Sequence, residues 1–258
     1  MLKLYSYLYG LFGTDGNVRR TEDNHIYDLT LELIDEDVID KINGVLPNCS
    51  KTERERDTNF KKNYHSYVLH CHNQDFIQWC ENNCFPIRNK TEQLSLPIEY
   101  SEPDFWRGVI DGDGSIGLKN VEQQPFLSLA TKSELLKEGF CDYIHKLTGF
   151  RPNVNRNKRD NIFNITLHGE KALLVLSDIY KDAEIYINRK YNSYLQIKDW
   201  KKQTLKGVKR LPWSKQETED LLILPQEEFI KKYPTRTLCA IKAKKTRILK
   251  GGGDNVNK

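Results

Sequence analysis

F-W-R-G-V-I-D-G-D-G-S-I-G, Phe105 to Gly117, places glycines and aspartates inside a run whose apolar residues keep helical spacing. Phe105, Val109 and Ile110 make one stripe of a helix, yet Gly108 and Gly112 sit within it, each costing about 1 kcal/mol against alanine. A looser copy, Y-L-Y-G-L-F-G-T-D-G-N-V, runs from Tyr7 to Val18, with Leu4, Leu8 and Leu11 as the stripe and Gly10 and Gly13 inside it. Bare backbone lets helices approach closely. The pattern therefore predicts two helices packed along Gly10, Gly13, Gly108 and Gly112 across a pseudo-twofold axis. Gly16 and Gly114 are expected as left-handed caps just past the helix ends.

The two motifs open a longer repeat. Asp15 answers Asp113, and Leu29-Thr30-Leu31 answers Leu127-Ser128-Leu129, both at an offset of 98 residues. Asp35-Glu36 and Ser133-Glu134 then begin amphipathic helices, Tyr67–His70 and Phe163–His168 alternate as strands, and Pro86–Lys90 meets Tyr186–Lys190. Each half reads helix, two strands, helix, two strands, helix. A period of about 100 residues is too long for a solenoid unit and fits a duplicated domain. The expected fold class is α+β: two pseudo-twofold-related αββαββα repeats, residues 1–100 and 101–204, with antiparallel sheets. The linker Gln93–Pro103, with its two prolines, joins them. A small all-α module is expected over 208–250, and a disordered tail over 251–258.

Composition narrows the function classes. With 38% hydrophobic and 29% charged residues in 258, the chain has an ordinary soluble composition. No apolar run reaches membrane-spanning length, and the start Met1–Tyr5 is too short and polar for a signal peptide, so an intracellular, non-secreted protein is expected. The six cysteines lack C-x-x-C spacing and read as free thiols. His70, His72, Cys80 and Cys84 could share a zinc ion geometrically. Without a recognised spacing they read instead as packing cysteines and surface histidines. From Lys201 onward 15 Lys+Arg stand against 6 Asp+Glu, while the first 200 residues hold 25 against 30, so the tail is a polyanion-binding candidate in its own right.

The aspartates point to chemistry. Asp15 and Asp113 fall at helix C-termini, where the dipole disfavours an anion, and side-by-side helices would make them repel each other as well. Two such penalties call for a shared cation. Oxygen ligands beside open water positions suit Mg2+, with Mn2+ as a substitute. Asp111 reads as a capping or strand-contact residue rather than a ligand.

W-R-G-V-I-D-G-D-G resembles the motif of the LAGLIDADG homing endonucleases, and L-Y-G-L-F-G-T-D-G a degenerate first copy. The resemblance covers about Leu4 to Gln203. It implies a single-chain monomer in which paired helices join two similar halves and curved sheets form a saddle over the DNA major groove. It further implies that the last acidic residue of each motif, here Asp15 and Asp113, binds the catalytic metal. Gly13 stands where the family usually has its first acidic residue, Thr14 replaces a small residue, and Tyr9 and Arg107 replace alanines. Lys90 and Lys190 resemble the family's basic residue near the active centre, which would polarise water or stabilise the phosphorane. Thr30 and Ser128 match strand positions that orient water.

Base and phosphate contacts are expected from Asn17, Arg19, Arg20, Arg54 and Arg56 in the first half. In the second they are expected from Lys119, Asn155, Arg156, Lys158 and Arg159. In the tail, P-W-S-K-Q-E-T-E-D and Y-P-T-R-T-L-C-A-I-K-A-K resemble a Myb-like helix-turn-helix domain. Ser214 would cap a first helix, Pro225 start a second and Thr235 cap a third, which would present Arg236, Lys242 and Lys245 to DNA. The expected activity is metal-dependent cleavage of both strands of a long, non-palindromic duplex. The alternatives are a DNA-binding regulator without cleavage and an RNA-binding intron maturase. An intein is not expected, because the chain has no nucleophile at its start and no terminal His-Asn.

Overall fold

The computed structural model describes residues 1–23, 25–57, 62–119, 124–201 and 211–249. The chain divides into two compact units, Met1–Lys202 and Gln203–Lys258. The sequence boundary expected between 204 and 208, and the tail 251–258, lie outside the described residues. Among those described, no helix is long and apolar enough to cross a membrane.

In the first unit, α1 (Leu2–Asp15) is buried over nine consecutive residues, Tyr5 to Gly13, because other elements surround it on every side. The strands β1 (Gly16–Arg20) and β2 (Ile26–Leu33) follow, then α2 (Glu36–Val45), β3 (Cys49–Arg56), β4 (Tyr64–Cys71), α3 (Gln74–Asn82) and the single turn α4 (Lys90–Gln93). The sheet is antiparallel in the order β1-β2-β4-β3. Leu29, Leu31, Leu33 and Leu69 turn inward, so Asn17, Arg19, Thr30, Glu32, Arg54 and His70 line the opposite face.

The second half runs α5 (Glu102–Asp113), β5 (Gly114–Lys119), β6 (Gln124–Thr131), α6 (Glu134–Thr148), β7 (Phe163–His168), α7 (Glu170–Ile179) and α8 (Asn188–Ile197). Its antiparallel sheet has the order β5-β6-β7. Pro103 starts α5, as the linker prolines predict. The register repeats between halves. Gly16 pairs with Leu31 and Asn17 with Thr30; Gly114 pairs with Leu129 and Ser115 with Ser128.

The α+β duplication stands, with one local difference. The segment 151–162, expected to mirror β3, has no strand; Asn157 N–H instead donates to Ile162 O across a turn, and Asn161 takes a left-handed φ of 57°. Pro152 offers no amide hydrogen, and the Asn-rich run favours turns over a ladder.

Both halves drain into one hydrophobic core, in which Tyr7, Phe12, Phe105, Trp106 and Phe140 are fully buried. Contacts between the halves are also polar. Arg189, on α8, forms a fork with Asp35 at the start of α2, and Lys41 on α2 donates to Tyr186 O and Asn188 Oδ1.

The described residues of the second unit form three short helices, α9 (Lys215–Ile223), α10 (Gln226–Lys232) and α11 (Leu238–Leu249). Ser214 and Glu217 form a reciprocal capping box on α9, and Pro225 precedes α10. Leu221, Phe229 and Ile241 make its core. The third helix starts at Leu238 rather than Arg236, and Thr237, not Thr235, accepts the amide of Ala240 at its head.

Candidate active site

The two motif helices meet at bare backbone. A Cβ built on Gly10 would lie 2.4 Å from Phe105 O, and one on Gly112 would lie 1.9 Å from Thr14 Oγ1. Gly13 corrects the expected interface. Its absent side chain faces Leu94, whose Cδ1 would be 2.6 Å from a Cβ there, and not the partner helix. The end caps also differ from expectation. Gly16 (φ −77°) and Gly114 (φ −83°) are extended rather than left-handed. They are glycines because a Cβ would lie 2.6 Å from Phe12 O or Ile110 O, the carbonyls to which their own amides donate.

This packing delivers Asp15 and Asp113, both exposed residues, to the neighbouring helix ends, where the charge of Asp15 acts on Asp113. Burial of their surroundings raises both carboxyl groups. Asp113 is pushed up to about 6, with the neighbouring Asp15 charge as the second cause. Asp15 is raised by burial and eased downward, first by Lys190 and then by Lys90. For Asp113 the order is reversed, Lys90 before Lys190. Each carboxylate thus feels most strongly the lysine that follows the other half.

Those lysines cap the helices. Lys90 Nζ donates to Phe12 O (3.0 Å), Thr14 O (2.7 Å) and Gly16 O at the end of α1. Lys190 Nζ reaches Ile110 O, Asp111 O, Gly112 O and Gly114 O at 2.5–2.9 Å at the end of α5. An ammonium at a helix C-terminus satisfies the orphan carbonyls and complements the dipole. Burial draws Lys90 down to about 8 against the pull of Asp15 and Asp113, and it lowers Lys190 too, against the charge of Asp111 first and of Asp15 and Asp113 after it.

Asp111 is neither a cap nor a strand contact. It is fully buried and accepts from Tyr7 Oη (2.9 Å), Tyr180 Oη (3.0 Å) and Ile187 N–H (2.9 Å), which pins α5 to α1 and to the chain entering α8. Burial raises its carboxyl, and these three donors oppose the rise. Its counterpart in the repeat is Gly13, where Leu94 fills the space. Arg107 is buried as well, donating to Asp104, Ile179 O and Ile185 O and lying over the Tyr7 ring. Sequence reasoning passed over it as a departure from alanine.

Neither a protein-family model nor a curated protein matches this chain. Solved structures do. The homing endonuclease I-WcaI bound to its DNA recognition sequence matches with a TM-score of 0.57 at 14% identity, covering 75% of this chain and 86% of that one. This chain has the LAGLIDADG fold. The I-LtrWI LAGLIDADG homing endonuclease bound to target DNA (12% identity, 95% and 97% covered) has a TM-score of 0.45. Full-length DUF199/WhiA from Thermatoga maritima (14% identity, 98% and 93% covered) has one of 0.44.

On the LAGLIDADG scaffold, the first sheet's polar face borders Asp15. A concavity of about 450 Å³ is lined by Asp15, Asn17, Arg19, Thr30, Arg54 and His70 among others. Arg20 is a correction. It follows an irregularity in the β1–β2 register and lines a different depression, with His25, Gln78 and Glu81. Two carboxylates on this face were missed. Glu32 holds Arg54 and Arg56, and Asp28 is 1% exposed between Arg19, His70 and His72 at 3.7–3.8 Å. Their alternation with Thr30 along β2 was the available signal.

In the second half, Lys119 ends β5 opposite Gln124, and Ser128 sits between Ser115 and Thr166 on the polar face. Asn155 and Lys158 are exposed on the strandless segment 151–162. Arg156 lies over the Phe163 ring, and Arg159 forks onto Asp160. The zinc constellation does not assemble. Cys80 lies in the core, His70 and His72 flank Asp28, and no group of three or more ligating side chains suited to a metal occurs among the described residues.

In the second unit, Lys242 and Lys245 are exposed on α11. Arg236 contradicts its DNA-facing assignment. Its guanidinium is spent on Glu217 (2.8 and 2.9 Å), Leu211 O and Pro212 O, over the Trp213 ring.

Proposed function

We propose that this chain is a site-specific double-stranded DNA endonuclease that hydrolyses a phosphodiester bond in each strand, with Asp15 and Asp113 holding divalent metal, Mg2+ or Mn2+. The observation that carries the reading is the pairing of two solvent-open carboxylates at the ends of glycine-packed helices, with carboxyl groups raised by burial and, at Asp113, by the other's charge. A fold gains no stability from such a pair without a cation. The donor set is oxygen-only and leaves positions for water and phosphate oxygens, which fits Mg2+. When bound, the metal supplies the charge that activates water and stabilises the leaving oxygen.

Lys90 and Lys190 hold the helix-end carbonyls and thereby fix where the two carboxylates stand, while their charge offsets the carboxylate pair. Thr30 and Ser128, on the polar faces of β2 and β6, would order water. Asn17, Arg19, Arg54 and Arg56 would contact one half-site, and Lys119, Asn155, Arg156, Lys158 and Arg159 the other. Lys242 and Lys245 would add phosphate contacts. That the structurally similar I-WcaI is bound to its DNA recognition sequence supports a duplex partner. The unlike halves support a monomer on a non-palindromic target.

The test selects bound duplexes from a randomised library in Ca2+ and then adds Mg2+. Double-strand cleavage by the wild type, lost in Asp15→Asn and Asp113→Asn with binding kept, is the expected result. Specific binding without cleavage in the wild type would replace the nuclease with a DNA-binding regulator, and preference for structured RNA over any duplex would replace it with a maturase.

A further inference from the structure

The polar face of the first sheet carries Asp28 and Glu32, whereas the corresponding positions of β5, β6 and β7 carry no carboxylate. Anions on a DNA-facing surface weaken phosphate binding, so their presence calls for a compensating role. Glu32 has one. Its Oε1 accepts from Ser66 Oγ at 2.7 Å and forms an ion pair with Arg56 at 2.8 Å, and its Oε2 accepts from Arg54 at 3.3 Å. The carboxylate thus ties β2 to β4 and to two arginines of the edge strand β3.

Glu32 is largely covered, at 26% side-chain exposure, whereas Arg54 and Arg56 keep 53% and 42%. Each arginine has five N–H donors in a planar fork, so a tether to one carboxylate leaves donors free to solvent. A guanidinium already held in place loses less rotamer freedom when it meets the O6 and N7 acceptors of guanine. Arg54 and Arg56 are two residues apart on one strand face, about 7 Å, which matches about two base-pair steps of duplex.

We propose that Glu32 is a positioning residue that sets base preference in one half-site by aiming Arg54 and Arg56 at base edges two steps apart. This rests on the duplex-DNA reading above. The preference it confers is for guanines in the half-site under the first sheet. Among the described residues, the polar face of the second sheet carries no such carboxylate clamp.

The test compares base-preference profiles from a duplex library randomised over both half-sites, for the wild type, Glu32→Gln and the double variant Arg54→Ala/Arg56→Ala. Glu32→Gln is expected to flatten the preference about fivefold or more at two positions of one half-site, two steps apart. The other half-site should be unchanged, and affinity for unselected duplex equal or higher. The double arginine variant should flatten the same positions. An unchanged Glu32→Gln profile would overturn the proposal, as would equal flattening across both half-sites, the mark of a loosened fold. A wild type with no duplex preference would overturn the DNA reading itself and this inference with it.

Discussion

A Cβ on Gly108 would lie 2.1 Å from the carbonyl oxygen of Tyr7, backbone against backbone, so nothing at that point can move aside. Gly108→Ala is therefore expected to push α1 and α5 apart, at a cost of about 3 kcal/mol. Gly13→Ala meets only the tip of Leu94, which can rotate, and should cost less than about 1.5 kcal/mol. Thermal unfolding of the two variants checks the difference; equal losses would mean that the helices are not in backbone contact at Gly108.

Asp113 gives a pH dependence with a definite sign. Its folded carboxyl titrates at about 6, against about 4 in an unfolded chain. Between those values the folded state binds more protons, so this group's contribution to stability falls as pH rises through the window. At pH 7.5 without divalent cations, Asp113→Asn should melt higher than the wild type, and the difference should vanish near pH 4. Added Mg2+ should raise the melting temperature of the wild type and leave the variant nearly unmoved.

The duplication was legible because spacing and backbone register repeat together: Asp15 and Asp113, and the Gly16–Leu31 and Gly114–Leu129 pairs, share one offset. Which face each strand residue takes followed from alternation, up to the irregularity after Arg19 that sets Arg20 apart. What stayed hidden was partnership. A basic residue in a sequence does not disclose its carboxylate, and Arg236 meets Glu217 only through the fold of the three helices. Likewise Lys90 and Lys190 were legible as matched positions, yet their bonds to helix-end carbonyls depend on how the chain returns to α1 and α5. The strand expected at 151–162 was carried over from its counterpart, although Pro152 already argued against a full ladder.

Lys190 separates structural from purely chemical service. Its side chain is buried, and four backbone carbonyls lie within hydrogen-bond reach of a group with three protons. Lys190→Met strands those acceptors and removes the charge at the end of α5, for an expected loss of about 3 kcal/mol. A purely chemical lysine would leave the melting temperature unchanged while abolishing cleavage. Calorimetry beside the cleavage assay distinguishes the two.

Arg236 and the lysines of α11 should part company in the same experiment. The Arg236 guanidinium closes the second unit by bonding Glu217 and the carbonyls of Leu211 and Pro212, so Arg236→Ala leaves a carboxylate and two carbonyls without their donor. The expected result is loss of protease resistance in 211–249, while the melting of the first unit is unchanged. Lys242→Ala and Lys245→Ala, on an exposed helix face, should keep protease resistance. They should instead lower duplex affinity about equally for all sequences and reduce the salt dependence by about one ion per lysine removed. If Arg236→Ala instead kept the unit folded and weakened only DNA binding, its guanidinium would be a DNA contact and the Glu217 pair dispensable.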